Sequence, residues 1–499
     1  MPFRSEVDPL LPQNEPAPEI AGYGGKKVSY GSQYIQPEEP PAYESTIEEE
    51  EDDTQSSTKR ALGNIIAIFS VVVSFALIAL FLSPTNPADR DPIHHLPPPH
   101  GGGHGIQDRV SAILKETPLL DGHNDLAIFI RAAYKNKIHT KIFKKKFEKG
   151  GMELNVDLPR LRKGLVGGGF WSAFVVCPED ASTDFSDQEY AESVSHTLSQ
   201  IDLLRRLQTQ YPAHFTSADA TLSEALHRFH ADRSLISPIS IEGLHQIPQT
   251  APLATLRLYH TLGVRAATLT WNCHNAFADA ALISRNGSTT IAPYHRGGLT
   301  PAGRDVVREM NRLGILVDIS HTSYWTQKAV LSDSTSAAPV IFSHSSAYSL
   351  CHHPRNVQDD ILDLVKKTRS LVMVNFSPSF ISCHPSKSDF ELPEFYEKNN
   401  TLHQVARHIV YIGERIGYDH VGLGSDFDGM GELTPRGLEG VDKYPDLIAE
   451  LLRMGVGDKE ASKIVGGNLL RVWSAAEDVA KKLRNEEQEG EDDVHGYEL

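Results

Sequence analysis

Cysteine is scarce. The chain of 499 residues has four, Cys177, Cys273, Cys351 and Cys383, too few for a disulfide-framework protein. No CxxC pair occurs among them, so a structural zinc site built on thiolates is not expected. Basic residues are also in short supply, with 48 Lys and Arg against 65 Asp and Glu, a net charge of −17. Nucleic acid is excluded as a partner, because little is available to neutralise phosphates. The deficit is uneven. Residues 1–60 carry 13 acids and 5 bases, and residues 485–499 carry 7 acids and no base, which leaves the intervening chain at −2. With 40% hydrophobic and 8% aromatic residues, that middle is rich enough for a sizeable core.

Residues 1–60 hold eight prolines, the acidic run Glu48–Asp53 and few large aliphatics. They cannot bury enough apolar surface to offset their ordering entropy and read as a disordered acidic tail. Within them, Glu6-Val-Asp-Pro-Leu10-Leu11 resembles an acidic dileucine sorting signal, and Pro40-Pro41-Ala42-Tyr43 a PPxY ligand of WW domains. Such short motifs also arise by accident; together they point to sorting-adaptor and WW-domain contacts and to vacuolar or endosomal delivery. Residues 61–82 then run 22 positions without a charge, about 30 Å as a helix, the thickness of a bilayer's hydrocarbon. Lys59 and Arg60 precede the run, so the expectation is a type II span with a cytosolic N-terminus and a lumenal or extracellular body. Sequons at Asn286, Asn375 and Asn399 all lie beyond it and permit glycosylation. Residues 83–105 read as a Pro/His/Gly-rich stalk. Its His94, His95, His100 and His104 are taken as incidental, and the Lys144–Lys146 run as a solvated face.

The remaining body, 106–484, repeats one pattern. Eight short runs rich in β-branched and aromatic residues lie at 119–125, 168–176, 236–243, 263–271, 314–321, 338–345, 370–376 and 420–427. Most end in His, Asp, Glu or Asn, and amphipathic segments separate them, such as 301–313 with Pro301 at its start and Gly314 just past its end. Eight β-then-α units of this kind describe a (β/α)8 TIM barrel, whose active site sits at the strands' C-terminal ends. A doubly wound open sheet is the alternative, though it would not require eight strand ends to converge.

His123 and Asp125 stand two apart at the end of the first strand, where both can reach one ion. Glu242 ends the third strand, His321 the fifth, His344 the sixth and Asp426 the eighth. Singly, each reads as a buried histidine or a helix cap. Six ligand-type residues at five strand ends of one barrel read as a metal centre, and three imidazoles with carboxylates suit zinc.

The motifs DGHNDL (121–126), SIEG (240–243), GLTPAGRDVVREMNRLGILVDISHTS (298–323), PVIFSHSSAYSLCHHPRNVQDDIL (339–362), LVMVNF (371–376), VGLGSDFDGM (421–430) and KYPDLIAELL (443–452) resemble those of membrane (renal-type) dipeptidases. These are zinc-dependent metallopeptidases of the amidohydrolase type, and the likeness covers essentially 110–483. The resemblance implies two zinc ions, one on His123 and Asp125, the other on His321 and His344, with Glu242 bridging. It implies Asp426 as catalytic acid/base, Arg355 as the group that binds the substrate's terminal carboxylate, and hydrolysis of dipeptides by a metal-activated hydroxide. It also implies Cys177–Cys273 and Cys351–Cys383 disulfides and a homodimer. One position departs: Trp271 stands where the family commonly has a substrate-polarising histidine. His274, three residues on, either replaces that imidazole or is an ordinary loop histidine. The C-terminal segment 485–499 is hydrophilic and read as disordered, so the expected anchor is 61–82. Competing readings are a related amidohydrolase acting on D-amino-acid dipeptides or other small amides, and a catalytically silent receptor.

Overall fold

The computed structural model describes residues 105–493, apart from 333–334, 386–387 and 389–390. The tail 1–60, the apolar run 61–82 and nearly all of the stalk lie outside the described residues. Among the described residues no helix is long and apolar enough to cross a membrane.

Among the described residues ten strands occur: β1 Leu119–Asn124, β2 Val166–Ser172, β3 Ile239–Glu242, β4 Val264–Thr268, β5 Leu282–Arg285, β6 Ser288–Ile291, β7 Leu316–Asp318, β8 Ile341–Phe342, β9 Leu371–Val374 and β10 Val421–Leu423. Eight of them close a parallel barrel in the order β1-β10-β9-β8-β7-β4-β3-β2, and each coincides with one of the eight apolar runs. The barrel is therefore observed and the open sheet is not. Closure is made by Asp121 of β1 standing in register with Leu423 of β10. All residues of β1, β2, β3 and β9 are buried, the pattern of strands covered on both sides. Leu120, Phe170, Ala266, Leu316, Ile341 and Leu371 belong to one apolar cluster that also takes in Leu469, Val472, Trp473 and Ala476 of the helix Asn468–Glu486.

The helix Pro301–Leu313 starts and stops where its sequence signals lie. Thr300 caps it by accepting from the Gly303 N–H at 3.0 Å, and Gly314 ends it at φ 82°. Not foreseen is the antiparallel hairpin β5–β6, whose turn is Asn286-Gly287 with φ 51° and 72°, the dipeptide that favours a two-residue hairpin turn.

The disorder expected over 485–499 is corrected for 485–493. The helix Asn468–Glu486 covers the first residues, and Asp492 then accepts from the N–H groups of Leu253 and Ala254, both at 2.9 Å. The helix Pro252–Thr261 has no side-chain cap of its own, so this carboxylate satisfies two orphan donors at its positive end. Arg257 Nη1 donates to Gly490 O at 2.8 Å, and Arg308 Nε to Glu487 at 3.0 Å. Acidic residues that looked like a solvated fringe thus have cationic and helix-terminal partners on the barrel wall.

Both disulfides are formed, Cys177–Cys273 and Cys351–Cys383. The first ties the loop after β2 to the loop after β4. Of the sequons, Asn286 and Asn399 are exposed. Asn375 is fully buried, so glycosylation of the folded protein there is excluded.

Candidate metal centre

The strand ends bring the six predicted residues to one buried place at the barrel mouth. Donor atoms fall into three overlapping groups, His123/Asp125/Glu242, Glu242/His321/His344 and His123/His344/Asp426, with the atoms of each group within 4.8 Å of one another. His123 Nε2 lies 3.3 Å from Asp125 Oδ2 and 3.4 Å from Glu242 Oε2. His321 Nε2 and His344 Nε2 lie 3.0 and 3.4 Å from the other oxygen, Glu242 Oε1. Glu242 therefore presents one carboxylate oxygen to each set, the geometry of a bridging ligand.

Local backbone shape makes this possible. Asp125 is the N-cap of the helix Leu126–Tyr134 but gives that helix no side-chain hydrogen bond; its Oδ1 is buried without a partner. His321 and Asp426 sit at φ 62° and 66°, a left-handed conformation that costs a non-glycine residue about 1 kcal/mol or more. The Ala281 N–H, at the start of the hairpin, donates to His321 O at 2.7 Å, and Asp426 N–H donates to His123 O at 3.1 Å; these bonds hold the strained residues. Gly429 follows, and a Cβ there would overlap Asp125 Oδ2 and Asp426 Oδ1.

Several polar residues that the sequence did not single out fix the ligands. Asn272 Oδ1 lies 3.0 Å from His321 Nδ1, while its Nδ2 donates to Ser284 Oγ of the hairpin at 3.2 Å. Ser343 Oγ lies 2.7 Å from His344 Nδ1 and donates to Asp318 Oδ2 at 2.5 Å. Both imidazoles thus carry their proton on Nδ1. Their Nε2 lone pairs then face each other at 2.9 Å, a repulsive contact unless a cation lies between the two nitrogens and Glu242. A divalent ion fits this donor set.

The electrostatics agree. Burial holds His321 well below the usual histidine range, reinforced by Arg355, and it holds His344 down likewise, reinforced by His123; both favour the neutral, ligating form. Burial opposes charge on His123, yet the carboxylates of Glu242 and Asp125 raise it well above the ordinary value. Burial also raises Glu242 to about 7 and Asp426 to about 8. Positive charge is what these crowded carboxylates lack.

Asp426 Oδ2 accepts from Asn375 Nδ2 at 3.1 Å. Arg355 is 2% exposed; its Nη1 and Nη2 donate to Ser345 Oγ and His344 O at 3.3 and 3.2 Å, and its Nε has no partner. Burial lowers it to about 10 against the pull of Asp426, Glu242 and Asp318, so it remains a cation at neutral pH. Trp271 is half-buried, with its ring 6.2 Å from that of His321 and edge-on to Phe174 at 4.8 Å. His274 is not among the donor groups. Its Nδ1 accepts from the Ala280 N–H at 3.1 Å and its ring stacks on His295 at 4.8 Å, the contacts of a loop histidine.

The sequence that builds this site matches a family model. Residues 107–487 match that of the membrane dipeptidases, peptidase family M19. The chain belongs to the membrane dipeptidase family. Curated relatives include dipeptidase aclJ of Aspergillus oryzae, 43% identical over 374 residues that span 74% of this chain and 81% of that one. An uncharacterised dipeptidase of Schizosaccharomyces pombe is 44% identical over 387 residues, 76% of this chain and 86% of its own. Among solved structures, a metallopeptidase from Rhodobacter sphaeroides liganded with a phosphinate mimic of L-Ala-D-Ala aligns at TM-score 0.58. It is 26% identical, over 72% of this chain and 99% of that one. As a member of the dipeptidase family the protein is a hydrolase.

Proposed function

We propose that the protein is a membrane-anchored dipeptidase that uses two zinc ions, His123 and Asp125 holding one, His321 and His344 the other, and Glu242 bridging. The observation that carries this reading is the shared carboxylate of Glu242, one oxygen to each histidine set. When bound, the ions would supply Lewis acidity, lowering the pKa of water and polarising a carbonyl. The chain's own residues do the rest. Asp426, kept basic enough by burial to exchange a proton near neutral pH, takes the proton of the attacking water and returns it to the leaving amine. Asn375 holds that carboxylate in place. Arg355, buried with an uncommitted Nε, pairs with the substrate's C-terminal carboxylate and limits the enzyme to short peptides. Residues 61–82 anchor the chain in type II orientation, with the barrel on the lumenal or extracellular side where its two disulfides persist.

Full-length protein in detergent, loaded with zinc and offered a panel of dipeptides in L,L and L,D form, tests this. Release of free amino acids is expected, with Asp426→Asn retaining metal and losing at least 100-fold in kcat, on the order expected for a general acid/base. No hydrolysis with two ions bound would sink the proposal. Hydrolysis confined to L,D substrates would favour the second reading, which the L-Ala-D-Ala mimic bound by the Rhodobacter relative motivates.

A further inference from the structure

We infer that Asp318 is a positioning residue that sets the tautomer of His344 through the hydroxyl of Ser343; the inference rests on the reading of His344 as a zinc ligand. Asp318 ends β7, is 2% exposed, and its two oxygens are occupied differently. Oδ1 accepts two backbone N–H groups, Ser320 at 3.0 Å and Ser343 at 2.9 Å. Oδ2 accepts two hydroxyls, Ser343 Oγ at 2.5 Å and Thr268 Oγ1 at 2.6 Å. Ser343 Oγ also has Ser320 Oγ at 3.4 Å, but a charged acceptor nearly 1 Å closer takes its single proton. With that proton committed, Ser343 Oγ can only accept from His344, 2.7 Å away. His344 must therefore be protonated on Nδ1, and its Nε2 is left as the lone pair that faces Glu242 Oε1 and His321.

The same geometry dictates what a neutral amide would do. In Asp318→Asn the side-chain oxygen must stay where the two backbone N–H groups point, so the NH2 falls at the Oδ2 position. There it donates to Ser343 Oγ, the hydroxyl proton turns toward His344 Nδ1, and the imidazole proton moves to Nε2. One proton is relocated and one metal-binding lone pair is lost, without any change in shape. A comparable clasp provides an internal control. Asp121 accepts from Ser425 N and Ser425 Oγ at 2.8 and 2.5 Å and from Tyr444 OH at 2.7 Å. There, however, the serine oxygen receives the Phe427 N–H at 3.0 Å, and the clasp reaches His123 only through its backbone, the His123 N–H donating to Asp121 Oδ1 and Ser425 Oγ lying near His123 O, both at 3.3 Å, with no imidazole ring at the end of the chain of bonds.

The test uses nitrogen-15 NMR of histidine-labelled, metal-free protein together with zinc titration and zinc stoichiometry after dialysis against graded chelator. Wild type is expected to show His344 as the Nδ1–H tautomer. Asp318→Asn is expected to show it as Nε2–H and to hold one zinc fewer, whereas Asp121→Asn melts earlier but keeps the wild-type tautomer. Ser343→Ala, which removes the relay without reversing it, is expected to weaken one zinc by about 10–100-fold, the range for lost outer partners of a ligating histidine. An unchanged tautomer and two tightly held ions in Asp318→Asn would overturn the inference. So would wild-type zinc affinity in Ser343→Ala, which decides the matter if Asp318→Asn does not fold. Should wild type itself bind fewer than two ions, the dizinc reading fails, and the tautomer measurement still decides the role of Asp318.

Discussion

Glu242 is held near 7 by burial, and His123 is raised well above its ordinary value by Glu242 and Asp125 in spite of burial. Both pKa values are raised, so both groups retain protons at pH values where isolated groups would have lost them, and an ion must displace those protons. Zinc uptake is therefore expected to release protons and to weaken as pH falls from 8 to 6, by about tenfold per pH unit for each proton displaced. Calorimetric titration in two buffers of different ionisation heat measures the proton count directly; zero protons released would contradict the assignment of Glu242. Trp271 gives a second expectation. Its indole and Phe174 form an aromatic wall beside His321, so Trp271→Ala should cost dipeptides with large apolar side chains about 10-fold or more in kcat/KM relative to glycine-containing ones. Equal losses across the panel would remove that role. The ligands themselves were legible because His, Asp and Glu at strand ends are uncommon in combination. Asp318, Ser343 and Asn272 were not, since each is an ordinary polar residue whose meaning appears only when a distant strand supplies its partner.

The strands were legible for a related reason. Apart from the half-buried Arg265 of β4, the barrel strands are buried on both sides and stand out as apolar runs, even β8 with only Ile341–Phe342 in regular pairing. The β5–β6 hairpin escaped because Arg285 to Thr290 are exposed and carry no burial pattern; the Asn286-Gly287 dipeptide was the available signal. The C-terminal segment escaped for the opposite reason. A run of acids reads as solvated unless helix ends and arginines on other elements are known to face it. Asp492→Ala is expected to cost about 1 kcal/mol, the usual worth of a cap, and to speed hydrogen exchange at the first amides of Pro252–Thr261. Unchanged exchange there would show the docking to be energetically idle.

The molecule as a whole divides its charge by region: most of the net −17 resides in the two ends, while the stretch 61–484 carries −2. The acidic C-terminal part is in part docked on the barrel, so it is not simply a solvent-exposed fringe. For the N-terminal side the expectation is that full-length protein stays with membranes through carbonate and high-salt washes and leaves with detergent. Removing 61–82 should release an active protein. Release of the intact chain by salt alone would mean that 61–82 is not a span.

Glu242 ends β3, its histidine partners lie near the end of β1 and just after β7 and β8, and Asp426 follows β10. Synthesis proceeds from the N-terminus, so a nascent chain has His123 and Asp125 long before it has the residues that complete either donor set. The barrel cannot close until β10 slots between β1 and β9. The full donor set is therefore assembled only late in synthesis, once the chain through β10 has been made and the barrel has closed around it.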